Sequence, residues 1–141
     1  MKFKKISIAS FLLISSLVIA TPINAEFNDG WIAYTNGDFK TASKKWRILA
    51  DKGDAKSQTN LGILYFNGKG VLKDFKQAVK LLKMAGEQGD AEAQFILGKI
   101  FIDGDGVNKS YKTAKYWVNL AYENAFDGAE ELWHNYELWK Y

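Results

Sequence analysis

From Asp54 onward, apolar side chains return every three or four positions in blocks that open on a small polar residue and close on glycine. In the first block Ala55, Gln58, Leu61, Gly62 and Tyr65 recur at helical spacing behind Asp54, and Asn67-Gly68-Lys69-Gly70 stops the run. The second block opens at Asp74, with Gln77 three residues on as in a capping box. It continues through Ala78, Leu81, Leu82 and Ala85 to Gly89. The same two blocks then return. Asp90 precedes Ala93, Gln94, Leu97, Gly98 and Phe101, Gly104 and Gly106 interrupt, and Ser110 precedes Ala114, Trp117, Leu120 and Ala121. The pattern predicts four helices in two antiparallel pairs.

Asp54–Gly89 and Asp90–Ala125 superpose without a gap at a shift of 36 residues and agree at 13 of those 36 positions. A fixed period in this range marks a solenoid, whose units bury their apolar faces against one another. Gly62 and Gly98 fall in mid-helix, where glycine costs about 1 kcal/mol relative to alanine. With Ala78 and Ala114 opposite, they predict a close backbone crossing inside each hairpin. A shortened copy precedes the full ones: Gly30-Trp31-Ile32-Ala33-Tyr34 aligns with Leu61 to Tyr65, and Asp38-Phe39-Lys40 and Ala42 with Asp74-Phe75-Lys76 and Ala78. That alignment shortens its inter-helix loop by five residues, since Phe39 follows Tyr34 by 5 positions and Phe75 follows Tyr65 by 10. At the far end Asp127 and Glu130 predict a capped last helix, with Ala129, Leu132, Trp133, Tyr136 and Trp139 as its apolar stripe.

Residues 1–25 are expected to be a cleaved export signal. Lys2, Lys4 and Lys5 precede an uncharged apolar run, Ile6 to Ala20, and Ala25 offers a cleavage point before Glu26. The run is shorter than the roughly 20 apolar residues a spanning helix needs and ends at Pro22, so no membrane insertion is expected after cleavage. Removing the signal takes 3 of the 19 basic residues and none of the 16 acidic ones, leaving 16 of each in 116 residues. The basic balance of the whole chain therefore gives no reason to expect a nucleic-acid partner. The chain has no cysteine, which excludes disulfides, thiolate metal sites, cysteine catalysis and lipid attachment at an N-terminal cysteine. The expected location is periplasmic or secreted.

The run Asp54-Ala55-x-x-Gln58-x-x-Leu61-Gly62-x-x-Tyr65-x-x-Gly68-x-Gly70-Val71, followed by Asp74, Ala78, Ala85 and Gln88-Gly89, resembles the Sel1-like repeat, and so does its second copy. Tyr34-x-x-Gly37-Asp38-Phe39-x-x-Ala42 is similar to the related tetratricopeptide repeat. Gly86 and Tyr122 depart from the pattern where a second alanine is usual, and Trp133-His134 replaces Leu-Gly in the last unit. The resemblance implies an all-α, right-handed solenoid of antiparallel hairpins. Its parts would be a half unit at 27–53, repeats at 54–89 and 90–125, and a capping helix at 126–141. It further implies a binding module for a protein or peptide, with the first helix of each hairpin lining the concave face. The residues it would turn outward are Thr59, Ile63 and Phe66 in one unit and Phe95, Lys99 and Ile102 in the next. Nothing in the sequence sets an oligomeric state.

Chemistry has little to work with. The single histidine, His134, falls on the predicted polar face of the last helix, and no cysteine is present to pair with it. Asp103-Gly104-Asp105-Gly106-Val107-Asn108 alternates carboxylates, but a calcium loop needs glycine sixth and a carboxylate twelfth, where Asn108 and Ala114 stand. No metal, cofactor or enzymatic activity is expected. The alternatives are an envelope hydrolase of the penicillin-interacting Sel1-like type, or a secreted binding factor directed at a host or a toxin. The hydrolase is disfavoured by the lack of cysteine and of any Ser-x-x-Lys. Ser43-Lys44-Lys45-Trp46 and Ser57-Gln58-Thr59-Asn60 both lack the fourth-place lysine.

Overall fold

The computed structural model describes residues 24–141, and within them all regular structure is helical. Helix α1 covers residues 24–35. It is followed by α2 (Phe39–Asp51), α3 (Ala55–Asn67), α4 (Phe75–Glu87), α5 (Ala91–Asp103), α6 (Tyr111–Glu123) and α7 (Ala129–Asn135), then a 3₁₀ turn, Leu138–Lys140. The basic start and apolar run of the expected signal lie outside the described residues. From α2 to α7 each helix packs on the next, as a stack of hairpins requires. Among the described residues no helix is long and apolar enough to cross a membrane.

Helices α2 to α6 begin where the sequence pattern places them. Asp38, Asp54, Asp74, Asp90 and Ser110 each accept a hydrogen bond from the backbone N–H three residues on, at 2.8–3.2 Å. Each such cap satisfies one of the unpaired donors of a helix start and contributes about 1 kcal/mol. The Thr41 hydroxyl and N–H hold the exposed Asp38 carboxyl below its usual range.

Inside each hairpin the mid-helix glycine is the contact point. A Cβ on Gly62 would sit 3.0 Å from Leu82 Cγ and 3.3 Å from the Ala78 carbonyl oxygen, and one on Gly98 would overlap Val118 Cγ2. The same test corrects the register of the first hairpin. It is Gly30, not Trp31, that faces the α2 residue corresponding to Leu82, with the Trp46 indole 2.5 Å from where its Cβ would be. Gly30 precedes Ala42 by 12 positions and Gly62 precedes Ala78 by 16, so the first connection is four residues shorter, not five. Gly86 is explained by its neighbour: a Cβ there would come within 3.0 Å of Trp117, which covers it from α6. Tyr122, its counterpart, is exposed.

Two devices join hairpin to hairpin. Gly70 and Gly106, both at positive φ, bring the loop of one unit against the start of the preceding unit's second helix. A side chain on Gly70 would strike the Phe39 carbonyl, and one on Gly106 the Phe75 side chain. The second device is a buried amide. Gln58 Nε2 donates to the Ala50 carbonyl at 3.2 Å and its Oε1 accepts from Gln88 at 2.8 Å. One period on, Gln94 Nε2 donates to the Gly86 carbonyl at 2.8 Å and its Oε1 accepts from Asn124 at 2.9 Å.

The C-terminal segment differs from the single capped helix expected at 126–141. Helix α7 opens on Gly128 with no side-chain cap, so Asp127 and Glu130 form no box. Glu137, at φ 48, breaks the helix and turns Leu138 into the core, where it is fully buried. The predicted stripe is thereby split: Ala129 is buried, Leu132 and Trp133 are half-buried, and Tyr136 and Trp139 are exposed. The period nonetheless continues, placing Trp133 where Leu97 stood and His134 where Gly98 stood.

The two crossings are not equally tight, and this can be measured by chemical denaturation. Gly62→Ala gains about 1 kcal/mol of helix propensity and meets a leucine branch that can yield, so its midpoint is expected near wild type. Gly98→Ala meets the stiff, buried Val118 and is expected to destabilise by about 1–3 kcal/mol. Val118→Ala added to Gly98→Ala should cost less than it does alone.

Candidate functional site

The first helices of the two full repeats, α3 and α5, flank a groove of about 380 Å³. Ile63, Phe66 and Asn67 line it from α3, Phe95, Ile96, Lys99, Ile100 and Asp103 from α5, and Asp105 from the following loop. Its floor is apolar and anchored in the core. Phe66 meets Phe75 edge-on with ring centroids 5.2 Å apart, and Phe95 lies on Phe126 at 4.9 Å. Both phenylalanines are half-buried and pack against the larger core cluster. They are at once floor and foundation, so the alternatives of core or surface do not apply to them separately.

Of the six residues expected to point outward, Ile63, Phe66, Phe95 and Lys99 come together in this groove. Thr59 and Ile102 do not. Thr59 is fully buried and turns its hydroxyl back to the Ala55 carbonyl at 3.1 Å. Ile102 is 2% exposed and belongs to the core cluster that also takes in Leu138 of the C-terminal turn. The outward stripe thus runs from Ile63 through Asn67 on α3 and from Ile96 through Lys99 to Asp103 on α5. Ile96, Ile100, Asn67, Asp103 and Asp105 were missed as site residues. Their signal was the i, i+3, i+7 series Ile96, Lys99, Asp103, one position away from the series expected.

The electrostatics of the groove are uneven along its length. Lys99 Nζ leans over the Phe95 ring, 6.0 Å from its centroid. Asp103 and Asp105 sit at the other end, exposed, and the ion pairs among the described residues involve neither of them. His134 is exposed and lies beside Trp139 rather than near the groove, with ring centroids 5.7 Å apart. Among the described residues no three acidic or histidine side chains converge as metal ligands would.

A profile of the Sel1 repeat matches residues 55–90 and 91–126, the two hairpins α3–α4 and α5–α6 with their turns. The chain belongs to the Sel1 repeat family. It is 31% identical to a Sel1 repeat protein from Oxalobacter formigenes, with a TM-score of 0.70, over 81% of this chain and 51% of that one. It is 32% identical to a protective antigen of uropathogenic Escherichia coli strains with the SLR fold, with a TM-score of 0.71, over 76% of this chain and 24% of that one. The chain therefore spans about half the length of the first protein and about a quarter of the second. No curated protein matches it. Sel1 repeat proteins act in general as scaffolds for protein–protein interaction, and their fold is typically non-catalytic.

The separation of groove from core gives a direct comparison. Ile102→Ala is expected to destabilise the chain by about 2–5 kcal/mol, as cavity-forming changes do. Ile63→Ala, at the half-exposed groove wall, should cost about 1 kcal/mol or less. Urea unfolding followed by tryptophan fluorescence reads both; equal losses would place Ile63 in the core as well.

Proposed function

We propose that this Sel1 repeat protein is an exported scaffold that grips a segment of a partner protein in the groove between α3 and α5. The observation that carries the reading is the groove itself. Two successive first helices leave Ile63, Phe66, Phe95 and Ile96 lining one depression, and aromatic and aliphatic anchors of this kind dominate interface energies. Its floor rests on the core, so it is formed before a partner arrives, and little ordering cost is left to binding. The lining suits the capture of side chains more than a reaction centre. The one histidine lies elsewhere, and the groove lining holds no serine, threonine or tyrosine, its polar side chains being Asn67, Lys99, Asp103 and Asp105.

Export rests on the sequence of residues 1–25. A host-directed role, one of the alternatives left open by the sequence, is favoured by the likeness to an antigen of a pathogenic strain. It concerns the same groove and a different partner.

Two measurements test the reading. Intact-mass analysis of natively expressed protein from the envelope or the medium should give a chain that begins at Glu26; full-length chain confined to the cytosol would end the export part. A photo-reactive phenylalanine placed at Ile63 or Lys99 should cross-link a discrete partner in that fraction. The same group at Lys44, exposed on α2, should not. Equal labelling from both places would move the interface off the groove.

A further inference from the structure

The α3–α5 groove has a chemical polarity that narrows its occupant. Both flanking helices run in the same direction, one period apart, and both end at the same end of the groove, at Asn67 and Asp103. A helix C-terminus carries partial negative charge on its unpaired carbonyls, and proteins commonly offset it with lysine or arginine in the last turn. Here neither helix has a basic residue in its last turn. The nearest lysine after α3, Lys69, is drawn away over the Phe39 ring of the preceding hairpin, at 5.0 Å. Lys73 and Lys109 start beside the capping glycines Gly68 and Gly104, and the Lys73 ammonium is drawn onto the Phe75 ring at 4.7 Å. Asp103 and Asp105 line that end of the groove, and the ion pairs among the described residues involve neither. The one lysine in the groove, Lys99, leans back over Phe95, away from the acidic end.

Two helix ends and two carboxylates thus add their fields at one end of an apolar trough. We infer that the groove takes an extended protein segment in which an apolar side chain is followed, within a few residues, by lysine or arginine. The apolar side chain enters between Phe66 and Phe95. The cation then reaches Asp103 and Asp105 at the negative ends of the two helices. The trough lies at the low end of the roughly 300–1,000 Å³ typical of ligand pockets, which suits a few side chains rather than a folded surface. The charge pattern also disfavours acidic segments, whose approach to this end is repelled. This inference rests on the groove reading proposed above and adds the chemistry of what fills it.

The test is selection of peptides from a random library on the chain from Glu26 to Tyr141, followed by affinity measurements on three variants. Ile63→Lys places a charge on the groove wall and reports whether a peptide uses the groove. Asp103→Asn with Asp105→Asn removes the acidic end while leaving the trough, and thermal melts confirm that each variant folds. The expected result is selected peptides with an apolar residue ahead of lysine or arginine, bound in a way that Ile63→Lys abolishes. The double aspartate variant should bind them about five- to tenfold more weakly, with a reduced dependence on salt. Peptides that are sensitive to Ile63→Lys but lack a basic residue, or that ignore the aspartate changes, would overturn the cationic specificity and leave the groove reading standing. Binding indifferent to Ile63→Lys, or no selectable peptide at all, would overturn both.

Discussion

A buried side-chain amide has to find its partners before a neighbouring helix can cover it, and in this stack Gln58 and Gln94 find theirs at the ends of second helices, one of them across the hairpin boundary. Each amide reaches back to the last turn of the preceding hairpin and receives a donor from the last turn of its own hairpin's second helix. Both glutamines are almost wholly buried, so an unpaired amide would cost about 1–3 kcal/mol. Because the bonds are directional, they set how far one hairpin is shifted along the next, which apolar packing alone leaves loose. Everything at the surface of the first helices inherits that setting. The distance from Ile63 to Lys99 across the groove is a consequence of where two glutamines find their carbonyls.

Much of this was legible in the chain before any coordinates. The caps at Asp38, Asp54, Asp74, Asp90 and Ser110 are local events, decided by a side chain and an N–H three residues away, and the sequence states them openly. The crossing glycines were legible for a similar reason. A residue that weakens a helix and recurs at the same place in two copies has to be gaining something in packing. What escaped was decided by tertiary context. Nothing in Gly30-Trp31 says which of the two faces α2 until the Trp46 indole is in place. The break at Glu137 depends on what Leu138 gains by turning into the core, so a continuous apolar stripe read along the helix overshot it.

The groove shows the same division. The direction in which the first helices face was available from the period, and four of six residues follow it. Thr59 and Ile102 lie at the edges of the stripe, where a rotation of a few tens of degrees separates surface from core. Only the neighbouring elements decide on which side they fall. Phe66 and Ile102 occupy the same place in successive units, yet one lines the groove and the other is sealed in the core. Repeats share a sequence pattern, but each unit meets a different neighbour.

His134 carries this further. It stands one period beyond Gly98, at the position where a first helix must leave its backbone bare for a second helix to lie across it. An imidazole there keeps any crossing helix at least a side chain's width away, so α7 cannot be clasped as α3 and α5 are. In a protein that lengthens by duplicating hairpins, such a residue matters for what can be packed on it. Copying the preceding hairpin onto the end would leave it unseated until His134 was replaced by something small.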